Sequence, residues 1–193
     1  MDTASPLVLP TMGQIHDKTP QQHLLSWYVW LQSERGIRAE LRRAGDPAAI
    51  MLCAGFRQLA KPLRAWLGEK EWRWLGLALV AGTLAHAKAH DGRASFAAQL
   101  GQKGQGDKPR LSPMRFARLQ QAHEVDEFYR LLLRALHQID NQANLFSLAD
   151  SILLWCREQD GESQEQGLAR SPFLRPQLRW ATEYFQANEK IEE

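Results

Sequence analysis

Residues 69–90 read EKEWRWLGLALVAGTLAHAKAH, and this stretch decides the fold. Trp72, Leu75, Leu77, Leu79, Val80 and Leu84 place apolar side chains on most of the circumference of a helix. A helix of that kind needs neighbours on every side, so it is expected to be the central helix of an N-terminal bundle. Upstream, Thr19-Pro20 reads as an N-cap with proline in the first turn. A helical stripe of Leu24, Trp27, Tyr28 and Leu31 follows. Gly36 interrupts it, and a short basic helix runs through Leu41 to Arg43. Asp46-Pro47 repeats the cap-plus-proline signal, and the next helix reaches about Ala60 before Pro62 bends or stops it.

Downstream, a short helix is expected around Phe96–Leu100. The segment GQKGQGDKPR at 101–110 reads as a mobile loop, rich in glycine and basic residues. Ser112-Pro113 opens another helix. One from about Asp126 to Ile139 carries Phe128, Leu131, Leu132, Ala135 and Leu136. Ser147 is the expected cap of a helix bearing Leu148, Ile152, Leu153 and Trp155. Residues 159–172 read as polar loop, and a last helix holds Leu174, Leu178, Trp180 (or its neighbour Ala181) and Phe185. Strand-like alternation is lacking, and so is a repeat of fixed period. The expected fold is all-α: a flexible segment at 1–18, a helical bundle with a basic surface at 19–110, and a second bundle at 111–193.

Composition supports helices, since Leu, Ala, Gln, Arg and Glu are abundant and β-branched residues scarce. No run of about 18 apolar residues exists, so no membrane span is expected. The N-terminus has no basic segment followed by an apolar stretch, so no secretory signal is read there. A cytoplasmic location follows as the expectation. Cys53 and Cys156 fall in apolar helical runs and are expected to be buried free thiols. The net charge of +2 hides an asymmetry: residues 1–34 balance to −2, residues 35–118 to +10 and residues 119–193 to −6. A basic middle beside an acidic tail points to a surface that faces a polyanion.

No catalytic constellation stands out, and no cofactor is expected. His86 and His90 are four apart on the expected helix, with Asp91 next, a spacing that admits a metal pair and the His-Asp step of a metal-dependent phosphohydrolase. That is the rival reading; its simplest alternative is a histidine pair at a helix end. Neither cysteine lies in a CxxC, no GxSxG is present, and the glycines of 101–106 lack the flanks of a phosphate-cradling loop.

The basic residues carry more. Arg35, Arg38, Arg42 and Arg43 lie within a few turns at i,i+3 and i,i+4 spacings. Arg115 and Arg118 repeat i,i+3, Arg130 and Arg134 give i,i+4, and Lys108 and Arg110 sit in the glycine-rich segment. Helices hold guanidinium forks at intervals suited to phosphate oxygens, and such contacts position a strand without reading its sequence. For Arg130 a pair with Glu127 is the competing use. Trp27, Trp66, Trp72, Trp74 and Trp155 are candidates for base stacking, but they fall among Leu and Ala at core spacing.

Four segments resemble a known family in order and spacing: GIRAELRRAGDPAA (36–49), the run ending HDGRASFAAQLG (90–101), RLSPMRFARLQQAHEVDEFYRLLLRAL (110–136) and LFSLADSILLWC (145–156). Together they are similar to the CasB small subunits of the type I-E CRISPR complex Cascade, over roughly residues 20–187. The resemblance implies two helical bundles and no catalytic activity. It implies head-to-tail pairing beside the repeated backbone subunits and the large subunit, with guide RNA and target DNA as partners. The implied role is to stabilise the R-loop and hold the displaced strand in antiviral defence. Arg42, Arg43, Arg115 and Arg118 take the strongest claim to nucleic-acid contact from it. A third reading, a helical scaffold without nucleic-acid contact, would turn the arginines toward acids of partner proteins.

Overall fold

Residues 20–104, 106–161 and 176–189 are described by a computed structural model, in which helices supply nearly all the regular structure and the fold is all-α. Helix α1 (Pro20–Ser33) buries Leu24, Trp27, Tyr28 and Leu31, the stripe the spacing predicts. The basic helix is α2 (Arg35–Arg43), and only Leu41 on it is fully buried. Helix α3 (Pro47–Leu52) is capped by Asp46, whose carboxylate accepts from the Ala49 amide at 2.9 Å. The expected single helix to Ala60 is broken: Cys53 is extended, and α4 (Ala54–Ala60) starts afresh after it. Pro62 then falls in a 3-10 turn (Lys61–Leu63) leading into α5 (Arg64–Leu67), and the large apolar helix is α6 (Glu71–His86).

The chain divides into two compact units. The first holds the described residues up to Ala85 together with Ala149–Cys156; the second holds His86–Leu148 and the described residues from Arg157 onward. The segment 101–110, expected from sequence to join two bundles, lies within the second unit.

In the first unit every residue of α6 from Gly76 to Ala85 is buried. Gly76 explains how a second helix comes so near: a Cβ there would stand 2.8 Å from Leu153 Cδ2. Arg73 lies over the rings of Trp66 and Trp72, 5.3 Å from each centroid, and donates to the Trp66 carbonyl. The Trp27 indole N–H donates to the Gly55 carbonyl at 2.9 Å, which ties α1 to α4. Both cysteines are free and buried, as expected, and burial pushes the Cys156 thiol up to about 12.

In the second unit, two short parallel strands, β1 (Ala89–His90) and β2 (Gln142–Ala143), join the chain's crossings. The unit also holds helices α7 (Phe96–Gly101), α8 (Pro113–Gln120), α9 (Val125–Gln138) and α11 (Pro176–Glu189); α10 (Leu145–Gln159) begins here, and its Ala149–Cys156 stretch belongs to the first unit. Gln99 is the polar centre. It is buried, its side-chain amide donates to the Asp91 carbonyl at 2.9 Å, and its carbonyl oxygen accepts from the Asn144 amide at 2.9 Å. Asn144 in turn donates to Ala94 O and accepts from Ser147 N, so Asn144 caps α10 in place of the expected Ser147, whose hydroxyl accepts from Phe96 N.

Three further expectations change. In α11 the buried pair is Trp180 and Tyr184, while Leu178 and Phe185 are exposed; Tyr184 stacks on Phe116 at 4.0 Å and donates to Leu111 O. In α9 Tyr129 is buried and Leu131 half-buried. The 101–110 segment is a closed hairpin, with Gly104 N donating to Lys108 O, Arg110 N to Gln102 O, and Lys103 paired to Asp107 at 2.6 Å. Gly106 and Asp107 take the left-handed backbone its tip requires. Residues 1–18, the cap Thr19, Leu174 and most of the 159–172 loop lie outside the described residues.

Replacing Gln99 with Leu removes both of its hydrogen bonds and leaves their backbone partners unsatisfied. Urea denaturation of Gln99→Leu should show a loss of about 2 kcal/mol at unchanged slope. Stability equal to the parent chain would contradict the role given to this network.

Candidate nucleic-acid interface

The predicted basic residues fall into three local settings. On α2, Arg35, Arg42 and Arg43 are exposed, and among the described residues none of them enters an ion pair. Arg38 differs. It is half-buried, and its Nε donates to Ala85 O at 2.9 Å, near the C-terminal end of α6 where carbonyls lack helical partners. This arginine is held by the fold. Arg42 and Arg43 occupy the last turn of α2, where cations also complement the helix dipole.

In the hairpin, Lys108 and Arg110 are exposed, with their backbones fixed by the bonds to Gly104 and Gln102. The third setting is the most concentrated. Arg115 and Arg118 on α8 and Arg134 on α9 line one cleft of about 390 Å³, together with Leu111, Leu131, Ala135 and Gln138. Helix α8 opens with Ser112 at its N-cap and Pro113 in its first turn, and Phe116 and Leu119 anchor its buried face. Its i,i+3 arginines are thereby directed away from that face. Helix α9 buries Phe128, Leu132, Ala135 and Leu136, leaving Arg130 and Arg134 exposed.

Arg130 does not join the cleft lining, and its Nε donates to Asp126 O at 3.3 Å. Glu127, expected as the rival partner of Arg130, instead meets Arg118 at 3.5 Å. Exposed pairs of that kind are worth about 0–1 kcal/mol, so a phosphate that brings a second charge-assisted bond can displace the glutamate. The cleft therefore brings three arginines together with the apolar Leu111, Leu131 and Ala135 and the amide of Gln138. Such a surface suits phosphate oxygens, for which the arginines present forked donors.

A scan against protein-family models matches residues 37–185 to the family described as CRISPR-associated protein Cse2. The chain belongs to the Cse2 family. The match contains every predicted basic site residue except Arg35, and it includes all of the cleft lining. Neither the curated proteins nor the solved structures contain a match to this chain. The Cse2 family comprises the CasB small subunits of type I-E Cascade, which makes this chain a structural subunit of a CRISPR complex. Among the described residues no helix is long and apolar enough to cross a membrane.

For this Cse2 member the phosphohydrolase reading is not supported. It required His86 and His90 on one helical face, but α6 ends at His86 and His90 lies on the extended β1. His90 Nδ1 accepts from the Leu145 amide at 3.2 Å, and its ring meets Phe146 edge-on. Asp91 is engaged twice by Arg93, at 2.8 Å to each carboxylate oxygen. Among the described residues no group of three metal-binding side chains converges. The tryptophans divide in the way the spacing predicts: Trp27, Trp66, Trp72 and Trp155 are buried, and Trp74 is half-buried, with its indole donating to Gly68 O. Trp30 escaped the sequence reading, and it is half-buried like Trp74.

The Arg93 hydrogen bonds hold the Asp91 carboxyl at about 2, below its usual range. Arg93→Ala removes the two side-chain bonds but keeps the residue-93 backbone N–H on Asp91 Oδ1, so the Asp91 midpoint, followed by carbon-detected NMR, should rise only part of the way toward about 4. A midpoint that stays near 2 in the variant would show that another group holds the carboxylate.

Proposed function

We propose that this Cse2 subunit binds nucleic-acid backbone within Cascade, stabilising the guide RNA–target DNA R-loop and the displaced strand. The observation that carries the reading is the α8–α9 cleft, where three predicted arginines meet around one opening. The exposed α2 arginines and the Lys108–Arg110 hairpin add two further cationic settings. Exchanging a DNA duplex for an RNA–DNA heteroduplex is close to balanced, so a few backbone contacts can tip it. Residues 35–118 supply that charge with a balance of +10, while the acidic remainder limits indiscriminate adhesion. No chemical step is required of such a subunit; it works by holding strands. In this reading it sits in the cytoplasm beside the repeated backbone subunits and the large subunit, and it pairs head to tail with a second copy.

The test is a salt titration of target binding by reconstituted complex carrying Arg115→Glu, Arg118→Glu and Arg134→Glu together, with circular dichroism checked first. Affinity should fall to a similar degree on unrelated targets, because phosphates carry no base identity. The slope of log affinity against log salt should shrink by about 0.7–0.9 for each phosphate no longer neutralised. A folded, incorporated variant with unchanged affinity and slope would overturn the proposal. Failure to enter the complex would assign the arginines to acidic partner subunits instead.

A further inference from the structure

The first unit holds a second opening, unrelated to the arginine cleft. It lies between α1 and the junction of α4 with the 3-10 turn, has a volume of about 570 Å³, and is lined by His23, Ser26, Trp27, Trp30, Gln58 and Lys61 among others. That volume falls within the range of about 300–1,000 Å³ common to ligand clefts. We infer that this cleft takes an unpaired nucleotide, with the base against Trp30 and the phosphate at Lys61.

Trp27 is the fixed wall. It is buried, and its indole N–H is tied to Gly55 O at 2.9 Å. Trp30, almost one helical turn further along α1, is half-buried and makes no ring contact among the described residues. Trp30 thus lines the opening from a helix held by its buried stripe. Lys61 is exposed and enters no ion pair among the described residues. Arg57 and Arg64, four before it and three after it, are exposed as well, and Arg57 is steadied by donation to Leu52 O. Among the described residues no acidic side chain lines the opening. Ser26 and Gln58 add short polar groups that can meet the edge of a base without selecting one.

The combination decides among occupants. An acidic peptide would use the cations and leave the indole idle. An apolar protein side chain would use the indole and desolvate the lysine at a cost. A single-stranded nucleotide uses both, since aromatic platforms inside cationic grooves are the common way of holding unpaired strands. This site adds what the backbone reading lacks: a dependence on the presence of bases. It shares no lining residue with the cleft of Arg115, Arg118 and Arg134, so either site can fail alone.

The experiment compares two probes on the full-length chain by fluorescence anisotropy at low salt. One is an oligothymidylate of about 12 nucleotides, inside the roughly 4–16 nucleotide span of single-strand sites. The other is an abasic strand of equal length. The chain should prefer the thymidine strand by about fivefold or more, the scale of one stacked base. Trp30→Leu should erase that preference and Trp30→Phe should keep most of it, while Lys61→Gln should weaken both strands. Arg115→Glu with Arg118→Glu should lower both affinities and leave their ratio intact, which separates this site from the cleft. Equal binding of the two strands by the parent chain, or no binding of either, overturns the inference. So does a folded Trp30→Leu chain that keeps the preference; if that chain also fails to enter Cascade, the cleft belongs to a protein partner.

Discussion

Burial of α6 from Gly76 to Ala85 is the constraint on which the first unit depends. From Gly76 to Ala85 no position on this helix faces solvent, so its cover must come from every side. Cover from one direction is supplied by residues 149–156 of α10, far away in sequence, which approach closely because Gly76 has no side chain to hold Leu153 off. The end of α6 is held by Arg38, and its start by Arg73 between Trp66 and Trp72. Arg38 and Arg73 thus serve the fold although their charge resembles that of the surface arginines. Because Arg38 anchors α2 at Ala85, the exposed Arg42 and Arg43 sit on a helix with a fixed placement in its unit.

The second unit solves a different problem with polar groups. The chain must pass through the β1–β2 crossing and start α7 and α10 within a few residues, which leaves several buried amides and carbonyls needing partners. Gln99 and Asn144 supply them. Tyr184 and Phe116 then stack between α8 and α11, and Gly101 admits the α11 backbone, since a Cβ there would fall 2.1 Å from Tyr184 O. With α8 seated in this way, Arg115 and Arg118 share an opening with Arg134. The cleft owes its arginine geometry to apolar packing beneath it, while the arginines themselves contribute little to stability at exposed positions.

Helices with strong apolar stripes were legible in the sequence: α1 and α9 fall where the period puts them, α8 where its cap and proline do, and α6 over most of its expected length. Asp46 shows the use of caps, accepting from an amide three residues on. What was not legible depended on long-range partners. The end of α6 at His86 is set by the strand pairing of Ala89–His90 with residues near 142, a contact that local period does not contain. The choice of Tyr184 over Phe185 is decided by Phe116 and Leu111, and that of Asn144 over Ser147 by Gln99 and Ala94. In the basic clusters, spacing identified which arginines share a helix face but not their use. It could not tell that Arg38 would cap a helix, that Glu127 would reach Arg118 rather than Arg130, or that Arg134 would face the same opening as Arg115. Trp30 was overlooked because its buried neighbours Trp27 and Tyr28 dominate the stripe.

The central claim is that the α8–α9 cleft faces nucleic acid inside Cascade. Met114 lies beside Arg115 on α8 and is 81% exposed, so a photoreactive phenylalanine analogue placed there reports directly on what covers the cleft. Irradiation of target-bound complex should yield an adduct between this subunit and a nucleic-acid strand, removed by nuclease digestion. An adduct confined to another protein subunit, with none to RNA or DNA, would contradict the account.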